Sequence, residues 1–287
     1  MADYIEVKPP AWLSPYIEAF WLRKVSGSVS LFPQGVFDLL LHNEPLSYCG
    51  INSQNSSLRA GMSLLGQQLY AYHITSSQPQ WVLAVRLKPF AFFQQSHIRA
   101  YDIKNGCESV NELFISSYNF EPLFTWLNAL NDQVDNDEIS RGIHLLAPWL
   151  QTQFCSSHFA LSPTLRAQTN SILDTRGNIL ISDICQRFDT SKVTLRSHFM
   201  SHVGLLPKEL CKVWRINHFL LHAANSNLNL TEASYNAGYF DQAHLNREFK
   251  SMFGQTPKAF LKSQVVSTPQ IASLSIQNRF SGQYDPF

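Results

Sequence analysis

Several things are scarce in this chain, and each scarcity excludes a class. No apolar run among its 287 residues approaches the span of a transmembrane helix, and the start, MADYIEVKPP, lacks the basic-then-apolar layout of a secretory leader. Cysteine is sparse: Cys49, Cys107, Cys155, Cys185 and Cys211 are dispersed without CxxC spacing. An odd, scattered set excludes a disulfide framework and a zinc knuckle, and reads as reduced thiols in a cytoplasmic protein. No nucleophile motif accompanies the ionisable residues, so no catalytic residue, cofactor or metal is expected. Net charge is nearly absent as well, with 22 lysines and arginines against 21 acids.

That last balance conceals a division. Residues 1–161 hold nine basic residues against thirteen acidic ones, whereas residues 162–263 hold twelve against seven. Positive charge is thus collected in the C-terminal part, as phosphate binding requires.

The same part carries the clearest pattern, NLTEASYNAGYFDQAHLNREFKSMFGQTPKAFLK from Asn229 to Lys262. Asn229 and Glu232 have the spacing of a capping box, Gly238 supplies a helix-ending turn, and Asp241 is placed to cap the next helix. Leu245, Phe249 and Phe253 then form one apolar stripe, leaving Gln242, Ala243, Asn246 and Arg247 on a polar outer face. A short helix, a glycine turn and a second helix of this kind make a helix-turn-helix. The chain does this twice. Leu195, Phe199, Val203, Gly204, Pro207, Lys208 and Lys212 are matched fifty residues later by Leu245, Phe249, Phe253, Gly254, Pro257, Lys258 and Lys262. Such a period marks a duplicated supersecondary unit.

These residues resemble the DNA-binding module of the AraC/XylS family of bacterial transcription regulators. GYFDQAHLNREFKSMFGQTPKAF is similar to that family's signature, and the likeness runs from Ser162 to Lys262. It implies an all-α module, 157–263, with two helix-turn-helix units at about 180–203 and 230–253. The first unit takes Ile181–Phe188 as scaffold helix, Ser191 as N-cap and Leu195, Phe199 and Val203 as core stripe. Pro207–Asn225 reads as a long helix connecting the readers. The residues expected to meet double-stranded DNA are Lys192, Thr194, Arg196 and Arg215, then Gln242, His244, Asn246 and Arg247. Relatives often carry basic residues where this chain has Val193, Ser197 and Met200.

Ahead of the module, residues 1–95 read as strands: Tyr16–Lys24, Val36–His42, Gln68–Thr75 and Gln80–Leu87 are aromatic and β-branched. They suggest a barrel-like sensor domain, and Pro33, Gly35 and Asp38 resemble an element of an uncharacterised N-terminal domain found in one AraC-type subgroup. Trp21, Phe37, Tyr72 and Trp81 either line a pocket for a mostly apolar small molecule or form a packed core, which would leave dimerisation as the domain's role. Residues 96–156 turn helical, with Ile139, Ile143, Leu146 and Leu150 at helical spacing and an acidic loop at Asn131–Glu138. Cys155–Pro163 reads as a linker and 264–287 as a flexible tail.

Two histidine pairs, His198 with His202 and His218 with His222, have the i, i+4 spacing of metal clips, but no Glu or Cys completes either one. Asp38, His42 and His73 are better read as structural than as an acid/base set. The fold class expected is therefore α+β: a β-rich domain, helices, then a double helix-turn-helix. The function expected is sequence-specific regulation of transcription by DNA binding, under control of an effector or of dimerisation. RNA polymerase, a small-molecule effector and a second copy of the chain are the further partners compatible with it; a membrane is not. The alternative is a DNA repair or modifying enzyme that borrowed the module, which would need a reactive cysteine cluster or acid/base site.

Overall fold

A computed structural model describes residues 4–51, 55–91, 99–109, 118–155, 162–225 and 230–262. The expected cap Asn229, most of the linker and the tail lie outside them. Eight antiparallel strands come first: β1 Tyr4–Val7, β2 Ile17–Leu31, β3 Phe37–His42, β4 Leu46–Gly50, β5 Ser56–Leu58, β6 Gly61–Leu65, β7 Tyr72–Leu87 and β8 Cys107–Ser109. The sheet order is β1-β2-β7-β3-β6-β8, with β4 between β5 and β7. Of the two stretches predicted as separate strands, 68–75 and 80–87, residues 68–71 are not strand and the rest lies on one strand of 16 residues that organises the sheet. Tyr72–Ser76 and Gln80–Leu87 pair with β2 on either side of a bulge, while the strand's other edge pairs first with β4 and then with β3. β8 extends the sheet past residue 95, and a 3₁₀ turn at Ala100–Ile103 precedes it.

Alternation on β7 sends its side chains into two different cores. Trp81, Leu83, Val85 and Leu87 join the large cluster that the helices cover. Val82 and Ala84 join a smaller cluster enclosed by the sheet, together with Trp21, Leu40, Tyr48 and Tyr72. Both faces are buried, so apart from Arg86 the stretch WVLAVRL is apolar on both.

Helices α1 Glu121–Ala129 and α2 Asn136–Cys155 follow. α2 begins inside the stretch predicted as an acidic loop, because Asp135 caps it: its carboxylate accepts from the backbone N–H groups of Asp137 and Glu138, both at 3.0 Å. The remaining helices are α3 Pro163–Asp174, α4 Ile181–Arg187, α5 Lys192–His202, α6 Pro207–Asn225, α7 Leu230–Asn236, α8 Gln242–Phe253 and α9 Pro257–Lys262. None among the described residues is long and apolar enough to cross a membrane.

The β domain and the helical module do not keep separate cores. One cluster runs from Phe37 and Leu83 through Trp149 to Trp214, Phe219 and Phe249. The Pro33–Asp38 element makes much of this join. Asn217 on α6 donates to the Pro33 carbonyl at 3.0 Å. Gly35 has φ 72, and a Cβ there would lie 2.7 Å from Trp214 Nε1, so glycine is what lets the indole close on the turn. Farther along, Ala71 N–H donates to the Met252 carbonyl at 2.7 Å, and Phe32 packs near Phe253 and Phe260.

Candidate nucleic-acid interface

Each helix-turn-helix unit is built by the same devices. Ser191 caps α5 by accepting from Thr194 N–H at 3.0 Å, and Asp241 caps α8 by accepting from His244 N–H at 2.6 Å. Leu195 and Phe199 on α5 and Val203 at its C-cap are wholly buried, as are Leu245 and Phe249 on α8. Gly238, at φ 80, turns the chain between α7 and α8, and a Cβ there would lie 2.2 Å from Asn178 Oδ1. Asn178, just before α4, donates to the Ala237 carbonyl at 3.2 Å. A residue at the foot of the first reader therefore closes a helix of the second.

The eight sequence-predicted residues fall into two groups. Lys192, Thr194, Arg196, Gln242 and Arg247 are exposed and Asn246 is half-exposed, all on the faces away from the core stripes. The Thr194 hydroxyl is also tied to Ser191 Oγ at 2.9 Å, so it forms part of the cap. Val193, 79% exposed, shares this outer face.

Arg215 turns inward, and His244, its side chain 40% exposed, leans against the same cluster. The Arg215 guanidinium lies 3.2 Å from Glu248 Oε2 and 5.5 Å over the Tyr239 ring. Tyr239 donates its hydroxyl to Glu248 Oε1 at 2.8 Å, and the His244 ring meets Tyr239 edge-on with Nε2 3.9 Å from Glu248. Burial, with Glu248 alongside, pushes the Tyr239 hydroxyl far above its ordinary range. This cluster ties connecting helix α6 to recognition helix α8. Glu248 was missed from the sequence, although an acid on the edge of an apolar stripe was the available signal.

The other candidates separate. His218 and His222 approach at 3.0 Å between their Nε2 atoms inside α6. Burial lowers the His218 pKa to about 3, with His222 and Arg176 adding to the effect. Among the described residues no group of three His, Cys, Asp or Glu side chains could hold a metal ion. Asp38 pairs with Arg86, His42 bonds Ser63 Oγ at 3.2 Å, and exposed His73 bonds Ser30 Oγ at 3.1 Å, so these three do not form one site. Burial raises the Cys211 thiol to about 11, far from a reactive thiolate. Of the two readings of the aromatic strand residues, packing describes most of them: Trp21 and Tyr72 border a void of about 10 Å³ and Phe37 belongs to the helix-covered cluster, while Trp81, also in that cluster, lines a largely polar cleft of about 270 Å³ with Lys24, Glu44, Gln80 and Asp132.

Comparison with known proteins gives two family matches. Residues 184–263 match a helix-turn-helix domain family, and residues 5–109 match the domain of unknown function DUF6597. No curated protein sequence matches the chain. Among solved structures, ToxT from Vibrio cholerae aligns over 91% of this chain and 98% of its own, at 11% identity and a TM-score of 0.50. An unsaturated fatty acid-bound form of ToxT aligns over 91% and 95%, at 12% identity and 0.45. The AraC-like transcriptional activator CuxR aligns over 82% and 91%, at 10% identity and 0.30. The first of these establishes a shared fold.

Proposed function

We propose that the chain, whose residues 184–263 match a helix-turn-helix domain family, is a DNA-binding transcription regulator of the AraC type and that its two recognition helices read one asymmetric duplex site. α5 and α8 enter successive segments of the major groove on one face of the DNA. Lys192, Arg196, Gln242 and Asn246 meet base edges, and Arg247 meets a phosphate. Thr194, through its cap, sets the first helix, while Arg215 and His244 position the second through Glu248.

The observation that carries this reading is the connection between the readers. Two capped helices with polar outer faces are joined by one 19-residue helix, α6, about 28 Å long at 1.5 Å per residue. That is close to the ~34 Å between successive major-groove segments on one face of DNA. Fragments selected from random DNA with the full chain should contain two short elements about ten base pairs apart. Inserting five base pairs between them turns one element to the far side, and binding by the monomer should collapse. Undiminished binding after the insertion would sink the two-reader proposal. The N-terminal domain is proposed as the control element, since its core is continuous with that of the readers.

A further inference from the structure

The sheet encloses a charged group that an apolar core does not require. Arg86 is 2% exposed. Asp38, directly opposite on β3, accepts from Arg86 Nε at 3.1 Å and from Trp21 Nε1 at 3.1 Å. A second buried carboxylate, Glu6, lies 3.9 Å from Arg86 Nη1. The two acids are held differently. Asp38 sits on a strand paired along both edges, with β6 and with β7. Glu6 comes from a four-residue edge strand that, among the described residues, pairs with β2 alone. Alternation along β1 sends Tyr4 and Glu6 into the enclosed side, where the Tyr4 hydroxyl donates to the Glu6 carboxylate. Ile5 and Val7 face the other way and pack on the core shared with the DNA module. The void of about 10 Å³ beside these groups, bordered by Tyr4, Trp21, Leu40, Tyr72 and Arg86, has room for about one water.

We propose that Tyr4 and Glu6 are internal occupants of a carboxylate-binding site, displaced when a small carboxylic acid with an aromatic or short aliphatic body takes their place on Arg86. The proposal rests on reading this domain as the control element. The ligand class follows from what is exchanged. A carboxylate replaces a carboxylate, so the buried charge is unchanged, and the body fills the volume that the Tyr4 ring leaves among Trp21, Leu40 and Tyr72. At 3.9 Å the Glu6 oxygen stands beyond hydrogen-bond distance of Nη1, whereas a free carboxylate can engage a guanidinium at about 2.7–2.9 Å. The desolvation of Arg86 is already incurred in folding, so the incoming acid does not bear it again. Four residue pairs with β2 and the packing of Ile5 and Val7 oppose release, which keeps β1 seated when no ligand is present. Release would withdraw Ile5 and Val7 from the common core, and this links the site to the readers.

The test uses the full chain, the double variant Tyr4→Ala with Glu6→Ala, and the milder Glu6→Gln. The probes are benzoate and hexanoate, with benzamide and hexanamide as uncharged counterparts. Either acid should raise the Tm of the double variant at concentrations at least tenfold below those the wild type requires, and neither amide should. In the wild type the same acid should increase hydrogen exchange of the amides of residues 4–7 several-fold. The proposal is overturned if neither acid stabilises a variant that keeps its near-ultraviolet circular dichroism. It is equally overturned if an acid stabilises the wild type with exchange in β1 unchanged. Should the double variant not fold, Glu6→Gln takes its place in the same comparison, and the same two results overturn the proposal. Duplex DNA binding is measured alongside: binding retained without any carboxylate response removes this proposal alone, whereas absence of DNA binding in the wild type removes the regulator reading.

Discussion

The two readers share a core pattern and differ in what holds them. The first is braced against the 3₁₀ turn of the β domain: Gly204, following α5, lies so close to that turn that a Cβ would fall 2.8 Å from the Ala100 carbonyl oxygen. Its charged brace lies at the start of α6, where Lys104 is 2.7 Å from Glu209, whose carboxylate also accepts from Leu206 N–H at 2.9 Å. The second reader is held by the Arg215–Glu248–Tyr239 cluster from within and by Ala71 and Phe32 from the β domain. Duplication therefore preserved the stripe that makes a helix fold against its partner, while orientation was solved separately in each unit.

The largest effect that can break this comparison is loss of the shared stripe. Phe199→Ala and Phe249→Ala should each destabilise the chain by ~3–5 kcal/mol through lost burial and a residual cavity, read by urea unfolding. Phe249 stacks on Phe253 at 4.1 Å and meets Phe260 and Phe219, so its replacement should fall at the upper end. Equal, small losses at the two positions would show that the stripes are not what holds either reader.

Glu248→Ala sharpens the contrast, since it leaves Arg215 and the Tyr239 hydroxyl without their common acceptor. We expect a loss of about 3 kcal/mol, the lower end for one partner of a buried pair because Arg215 keeps some solvent contact. Footprints should weaken over the half-site of α8 before that of α5. Uniform weakening would mean that the cluster does not orient the second reader separately.

Arg196→Ala and Gln242→Ala compare the two reading faces directly. Each is exposed, so melting should hardly move, while specific affinity should fall by ~1–3 kcal/mol in competition binding against random DNA. Unchanged operator selectivity in both variants would contradict the assigned base contacts.

The helix between the readers has its own pH dependence. His218 is neutral when folded and its pKa lies below the unfolded value of about 6.5, so its contribution is complete above that pH and is lost as pH falls toward about 3. Between pH 7.5 and 5.5 the unfolding free energy should drop by about 1 kcal/mol from this group. The drop should shrink in His218→Gln, and an unaltered profile would contradict it. Arg247→Ala should have the smallest effect, flattening the salt dependence of DNA binding by about one unit of slope with selectivity kept.

Much of this was legible in the chain because it is local. Ser191 and Asp241 cap helices through atoms three residues away, and the stripes at Leu195 and Leu245 recur at the helical period, so both readers could be placed before any packing was known. The inward turn of Arg215 was not legible, since its partner Glu248 lies 33 positions on and any solvent-facing arginine has the same local sequence. Parts of β2, β3 and β7 were found, but β1, β4, β5 and β6 were not, nor the single length of β7 or the membership of β8, which depend on pairings between distant segments. Nor could alternation tell the enclosed face of β7 from the helix-covered one, because both are buried.

By itself the sequence determined the duplicated helical unit, its caps, its turns and the concentration of basic charge around it, since each follows from short-range sterics, hydrogen bonding and helical period. Tertiary structure alone decided that Pro33 and Gly35 join two domains, that Phe32 and Phe253 share a core, and that Glu6 and Asp38 converge on Arg86. Those meetings are contacts across long stretches of chain, and their free energy comes from removing both partners from water together, which no residue's own neighbours encode.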